Sequence, residues 1–111
     1  MQVILAVNYG GRDEIVRAVR KVYADFNNAG KDFDNINESD IALYLDNPDI
    51  PDPDLIIRSA GEYRTSNFLL WEGAYSELFI SGKLWPDWEK EDLECAITDF
   101  QKRDRKYGGV K

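Results

Sequence analysis

The chain has no histidine, one cysteine and one methionine in 111 residues. Without histidine there is no imidazole to serve as a base near neutral pH or as a metal ligand. The lone Cys95 excludes an intrachain disulfide framework and fits a reducing compartment. It falls inside an amphipathic helical pattern, where a plain packing role is expected. No apolar stretch approaches the roughly 20 residues needed to span a bilayer. The N-terminus also lacks the basic-then-apolar pattern of a signal peptide, so a soluble, cytoplasmic protein is the expectation. Positive charge is scarce too: 14 Lys and Arg stand against 21 Asp and Glu, a net charge of −7. Such a surface repels nucleic acid and anionic headgroups, and no nucleic-acid partner is expected. Any anionic ligand must be held by a local arginine cluster.

What is present describes a folded domain. Hydrophobic content of 43% with 13% aromatic residues is ordinary for globular proteins, and the length suits one domain, residues 1–111, at the small end for an α/β architecture. Residues 2–7 (QVILAV) form an apolar run suited to a strand buried on both faces. Asn8-Tyr9-Gly10-Gly11 follows, then a helical pattern with Ile15, Val16, Val19, Val22, Tyr23 and Phe26 on one face, ended by the turn formers 27–31. Asn37 is placed to cap a second helix with Ile41, Tyr44 and Leu45 inward, which Pro48 ends. The loop PDIPDPD (48–54) reads as solvated turn residues, with a metal site as the weaker alternative for its aspartates.

A strand is expected at Leu55–Arg58, a short helix from about Asn67 to Tyr75, and a third strand at Glu77–Ile80. Trp85-Pro86-Asp87-Trp88 then leads to a last helix with Leu93, Ala96, Ile97 and Phe100 inward, and Gly108-Gly109 is a C-cap signal. The sum is an α/β fold: a partial parallel sheet of about three strands with flanking helices. The first strand begins at the second residue, and the chain reads as a piece of something larger.

The stretch IIRSAGEYRTSNFLLW (56–71) carries the chemistry. Arg58 stands where a parallel strand ends, the side of an open α/β sheet on which ligands bind. Arg64 and Ser66 follow, at the expected start of a helix whose free N–H groups favour an anion. Two guanidinium forks, a hydroxyl and backbone amides are what a diphosphate requires, and Gly61 lets the backbone bend toward it. The alternative stays open that Arg58 and Arg64 pair with local carboxylates such as Glu62 while Ser66 only caps the helix. Glu77, between apolar neighbours, is either a solvated edge residue or a metal ligand. The aromatic set Phe68, Trp71, Tyr75, Trp85 and Trp88 suggests a hydrophobic cavity, with core packing the more economical reading. The Gly10-Gly11 turn serves helix packing or ligand contact.

Four segments in order, NYGGRDEI, DLIIRSAGEYRTSNFLLWEGAYSEL, LWPDW and FQKRDRKYGG, resemble the C-terminal half of cis-prenyltransferases of the undecaprenyl diphosphate synthase type. The resemblance runs from about residue 2 to 109. It implies the C-terminal half of that fold and an enzyme that condenses isopentenyl diphosphate onto an allylic diphosphate with magnesium, making cis double bonds. The product is a membrane lipid that carries cell-wall sugars. By the resemblance Arg58, Arg64 and Ser66 bind the isopentenyl diphosphate, and Glu77 is the magnesium-associated glutamate. It also implies a homodimer, cytoplasmic and peripheral to the membrane. Tyr63 stands where some members carry a histidine, and that role is not carried over. The roles of Glu62, Asn8 and Arg12 are left unassigned. The Asp-Gly-Asn-Gly-Arg type motif of the family's N-terminal half, with its catalytic aspartate and allylic site, has no counterpart here. The expectation is therefore that the chain holds the isopentenyl diphosphate site and is inactive alone. A non-catalytic diphosphate-binding or partner subunit is the alternative.

Overall fold

The computed structural model of the chain describes residues 1–104. Their contacts form two compact units, one from Met1–Pro51 with Asn67–Trp71, the other from Asp52–Ser66 with the chain from Glu72 onward.

The first unit is helical. Its long helix α1 (Gly11–Asn28) starts at a residue that cannot cap with its own side chain, because the N-cap position is Gly10. Asn67 supplies the acceptors instead. Its carbonyl takes the Gly11 N–H at 2.7 Å and its Oδ1 takes the Arg12 N–H at 2.9 Å, satisfying two of the orphan donors of a helix start. This close approach explains the glycine: a Cβ at Gly11 would lie 2.8 Å from Leu70 Cγ and 3.0 Å from the Asn67 carbonyl oxygen. The Gly10-Gly11 turn therefore serves packing.

Helix α2 (Glu38–Ala42) begins as its sequence indicates, with a capping box in which Asn37 and Asp40 each accept the other's backbone N–H. Ala18 and Val22 of α1 meet Ile41 and Leu45 in the buried core, with Phe26, Phe33, Ile36, Tyr44 and Trp71 packed around it. The expected inward face of α1 is rotated: Val22 is buried, but Val16, Val19 and Tyr23 are exposed. The buried row is Gly11, Glu14, Ala18 and Val22. Small residues let the second layer approach closely, which apolar periodicity alone does not reveal. Glu14, 1% exposed, is satisfied by the Tyr9 hydroxyl and by the Asp46 N–H at 2.9 Å. Arg17 forks onto Asp46 at 2.6 and 3.1 Å and reaches Asp13 at 2.8 Å.

The second unit holds the sheet. Strands β1 (Leu55–Arg58) and β2 (Glu77–Ile80) pair in parallel, with Leu55 opposite Glu77 and Arg58 opposite Ile80. Both were expected at these residues. Helix α3 (Lys90–Gln101) packs on β2, and its Ala96 is buried. Phe100 is half-buried, whereas Leu93 and Ile97 are largely exposed.

Three expectations are corrected. Residues 2–7 are not a strand, since a strand exists only by pairing and no described segment pairs with them; Val3, Leu5 and Val7 are instead exposed. The sheet thus has two strands among the described residues, not three. The helix expected at 67–75 is a series of turns. Ser66, Asn67 and Leu69 have φ of 50°, 65° and 48°, left-handed values that no α-helix admits. The two bonds that Asn67 accepts from α1 favour that bend over local helix propensity. Cys95 is exposed, because helix α3 turns its Ala96 row inward instead. The Gly108-Gly109 signal lies outside the described residues.

Two measurements follow from the first unit. Gly11→Ala should lower unfolding free energy by about 1–3 kcal/mol through overpacking, read from urea curves of unchanged slope. The Asp46 carboxyl is held below the usual carboxylate range by its hydrogen bonds from Arg17. Its stabilisation is present above the unfolded pKa of about 3.9 and is lost as pH falls through the lower folded value. Asp46→Asn should therefore lower stability at pH 7 and flatten its fall below about pH 4.

Candidate functional site

Strand β1 ends at Arg58, and the chain turns through Ser59-Ala60-Gly61-Glu62. Ala60 and Gly61 have successive left-handed φ values of 58° and 68°. The turn is held by backbone bonds to the segment that leaves β2. The Ser81 N–H donates to the Arg58 carbonyl at 2.8 Å, the Gly61 N–H to the Ser81 carbonyl at 2.8 Å, and the Ala60 N–H to the Lys83 carbonyl at 3.0 Å. Two turn amides are thus consumed internally. Gly61 supplies conformation rather than clearance, since nothing lies within 4 Å of where its Cβ would be. Ala60 is the costlier member, a left-handed non-glycine residue of the kind that collects at functional turns.

Past the turn the chain returns toward the end of β1. Arg58 Nη1 donates to the Thr65 carbonyl and Nη2 to Ser66 Oγ, both at 3.5 Å. These are bonds at the outer limit of length. Among the described residues Arg58 has no carboxylate partner. Arg64 does: its Nη2 lies 2.6 Å from Glu62 Oε2, with the arginine side chain 70% exposed. Arg58 and Ser66 are thus brought together, and Arg64 sits two residues before Ser66 on the same loop. The local ion pairing weighed from sequence is present for Arg64 and, among the described residues, not for Arg58. The residues after Ser66 form turns and not the expected helix, so the helix N-terminus expected there to favour an anion does not form. Tyr63 is exposed.

Glu77 is elsewhere in the sheet. It opens β2 opposite Leu55, its N–H donates to the Asp54 carbonyl at 2.9 Å, and its Oε2 lies 3.9 Å from Arg103 Nη1. Arg103 is the more tightly engaged partner, donating to the Leu78 carbonyl at 2.6 Å and to Asp99 at 2.9 Å. The ladder places Glu77 three residues back from the Arg58–Ile80 pair, roughly 10 Å along the strands and on the opposite pleat face. One carboxylate fits magnesium only as one donor among diphosphate oxygens and waters. No group of three or more acidic or sulfur ligands occurs among the described residues. As placed, Glu77 does not fit an ion shared with a diphosphate at Arg58 of the same strand pair.

Among the residues that sequence reasoning missed, Arg103 had one visible signal, the Asp99–Arg103 spacing at a helix end. Lys83 and Asp92 had none. Lys83 Nζ lies 2.9 Å from Asp92 Oδ2, and the same oxygen accepts the Glu89 N–H at 2.8 Å. The Asp92 carboxyl is held below the usual range by the Glu89 amide first and by Lys83 second. Asp92 in turn raises Lys83. The aromatic residues divide by unit. Phe68 meets Tyr9 edge-on at 5.7 Å and Trp71 packs on the helical core. Trp85 and Trp88, 5.4 Å apart, line an open cleft of about 380 Å³ with Ile57 and Leu93.

Comparison with known proteins shows the family of the chain. The model of the family described as "Putative undecaprenyl diphosphate synthase" matches residues 1–108. An isoprenyl transferase of Clostridium tetani is 54% identical over 106 residues, 96% of this chain and 42% of the relative. One of Thermotoga maritima is 51% identical over 110 residues, 99% of this chain and 46% of the relative. The chain thus spans less than half the length of these curated relatives. Among solved structures, lavandulyl diphosphate synthase of Lavandula x intermedia, in complex with dimethylallyl diphosphate, superposes with a TM-score of 0.83 at 38% identity. That match covers 94% of this chain and 45% of the other. A probable undecaprenyl diphosphate synthase of Campylobacter jejuni gives 0.78 at 36% identity, covering 94% and 46%.

A diphosphate at the Arg58 turn has to compete with Glu62 for Arg64. Exposed ion pairs contribute about 0.2–1 kcal/mol, so Glu62→Gln should tighten pyrophosphate binding by up to roughly fivefold, measured by calorimetric titration at low salt. The same titration at high salt should narrow the gap between the two proteins.

Proposed function

The chain belongs to the undecaprenyl diphosphate synthase family, and we propose that it supplies the isopentenyl diphosphate site of a cis-prenyltransferase. The observation that carries the proposal is Arg58: a half-buried arginine at the carboxyl end of a parallel strand, without a carboxylate partner among the described residues of a chain of net charge −7. Leaving that cation unpaired serves an anion from outside.

In this reading Arg58 and Arg64 fork onto the diphosphate oxygens, and Ser66 donates its hydroxyl. Arg64 exchanges Glu62 for the ligand, while the long bonds of Arg58 to Thr65 and Ser66 yield to shorter, charge-assisted ones. Gripping the diphosphate fixes the homoallylic double bond of isopentenyl diphosphate toward the allylic carbon of the second substrate. There a carbon–carbon bond forms as the allylic carbon–oxygen bond breaks, and a proton is lost from the new junction. Positioning of this kind supplies much of the rate in reactions of two bound substrates, and the guanidinium groups hold the diphosphate's charge in place throughout.

The catalytic aspartate motif and the allylic diphosphate site belong, in this proposal, to sequence that this chain does not contain. The chain alone is therefore proposed to bind and not to turn over. Magnesium would enter with the diphosphate, as the counter-ion of its oxygens. Glu77 remains the proposed metal-associated carboxylate by resemblance, three ladder positions back from Arg58 on the strand pair. A second copy of the chain is the proposed partner. A long isoprenoid lipid is the proposed product of the complete enzyme, made in the cytoplasm at the membrane surface.

The test is calorimetric titration of the chain with isopentenyl diphosphate, with and without magnesium. Binding should weaken at least roughly tenfold in Arg64→Ala, the loss of a charge-assisted fork. Failure of the folded wild-type chain to bind would assign its arginines a structural role.

A further inference from the structure

The turn that carries Arg58, Arg64 and Ser66 does not hold its own shape. Its left-handed pair, Ala60 and Gly61, is the part least favoured by local chemistry, and both amides of that pair are bonded to the segment leaving β2. One goes to the Ser81 carbonyl and the other to the Lys83 carbonyl. Those two carbonyls define where the turn sits.

That segment is fixed in turn by two further contacts. Ser81 Oγ accepts the Lys83 N–H at 3.1 Å, which shapes the bend between them. The Lys83 ammonium lies 2.9 Å from Asp92 Oδ2. Asp92 is not a loose surface carboxylate. It is the third residue of α3, locked in a capping box with Glu89, whose side chain accepts from Asp92 as Asp92 accepts from Glu89. Its side chain is 25% exposed and that of Lys83 43%. One carboxylate oxygen thus joins the start of a rigid helix to Lys83, and the Lys83 carbonyl joins that anchor to the turn.

We propose that Lys83 and Asp92 are positioning residues for the diphosphate turn: their ion pair sets the Lys83 carbonyl that receives the Ala60 amide, and so aligns Arg58, Arg64 and Ser66. Neither residue is assigned contact with the ligand. The inference rests on the diphosphate reading of the turn and adds to it the anchor in α3.

The charges make the two halves of the pair distinguishable. Lys83→Met removes a cation near the turn, so weaker anion binding could arise from the field alone. Asp92→Asn removes an anion, and the field alone would tighten binding. Asparagine keeps an acceptor for the Glu89 amide, so the helix cap survives. Weaker binding in both variants therefore reports geometry.

The experiment is calorimetric titration of the 111-residue chain with inorganic pyrophosphate, well below the thermal midpoint of each variant, with Arg64→Ala as reference. Lys83→Met and Asp92→Asn should each bind roughly fivefold more weakly, and the double variant no more weakly than either single one, as expected for a coupled pair. Lys83→Arg, which preserves the ion pair, should bind within about twofold of wild type. Unchanged or tighter binding in Asp92→Asn, with Arg64→Ala still impaired, would overturn the positioning role and leave the diphosphate site standing. Wild-type binding that Arg64→Ala does not weaken would overturn both.

Discussion

The backbone junction between the end of β1 and the segment beyond β2 is the constraint on which the candidate site depends. A two-stranded parallel pair is a weak structure by itself, because each strand keeps one edge unpaired and parallel pairing is slightly less stable per residue. Here the pairing does not stop at the last ladder residue. The Ser81 amide bonds back to the Arg58 carbonyl, and the Gly61 and Ala60 amides bond forward to Ser81 and Lys83. The ladder thereby continues into the turn, and two residues with left-handed backbones become part of a cooperative unit instead of a free loop. The strain at Ala60 is tolerable only because these bonds over-determine its conformation.

The same economy governs the charges. For an acidic chain to bind an anion, as proposed, it has to keep its few cations from being neutralised by its many carboxylates. Four arginines show the range of outcomes. Arg17 is fully engaged by Asp13 and Asp46, and Arg103 by Asp99 and the Leu78 carbonyl. Both fasten structure and have little left to offer. Arg64, itself exposed, is engaged by one half-buried carboxylate, an arrangement that an incoming anion can exchange at small cost. Among the described residues Arg58 is engaged by two long bonds to neutral oxygens. The ordering from Arg17 to Arg58 runs from structural to available. It is set by which residues the fold places opposite each guanidinium, and not by the arginines themselves.

Much of this was legible in the sequence, and the limits have physical causes. Both strands, the Asn37 cap, the extent of α1 and the approach to α3 through Trp85–Trp88 follow from local apolar runs, turn formers and capping residues. The failures occur where tertiary contacts override local preference. Residues 2–7 have strand composition, but composition does not supply a partner. Residues 67–75 have helical composition, yet Asn67 adopts the backbone needed to serve α1 as a cap. The buried face of α1 departs from its apolar stripe because its row includes Gly11 and Ala18, which carry little weight in an apolar pattern. That Arg58 and Ser66 come together was legible because a strand end, a glycine turn and a hydroxyl coincide within nine residues. Lys83 and Asp92 were not, since nothing in their spacing signals that a lysine carbonyl receives the turn amide.

The placement of Glu77 adds a last constraint. Pairing with Leu55 rather than with Arg58 puts it at the opening end of the strand pair, beside Arg103 and the end of α3, while the arginine turn occupies the other end. A parallel pair of four residues is long enough to keep the two apart, because each residue advances the chain by roughly 3.3 Å and no described loop folds one end back on the other within the sheet. The single carboxylate and the arginine turn are thus separate features of one short ribbon. If both features serve one reaction, as proposed, what joins them comes from outside that ribbon, from sequence of the kind its longer relatives carry or from a second copy whose opening end meets the turn of the first. The strand register is the reason for that requirement, and neither arginine count nor net charge bears on it.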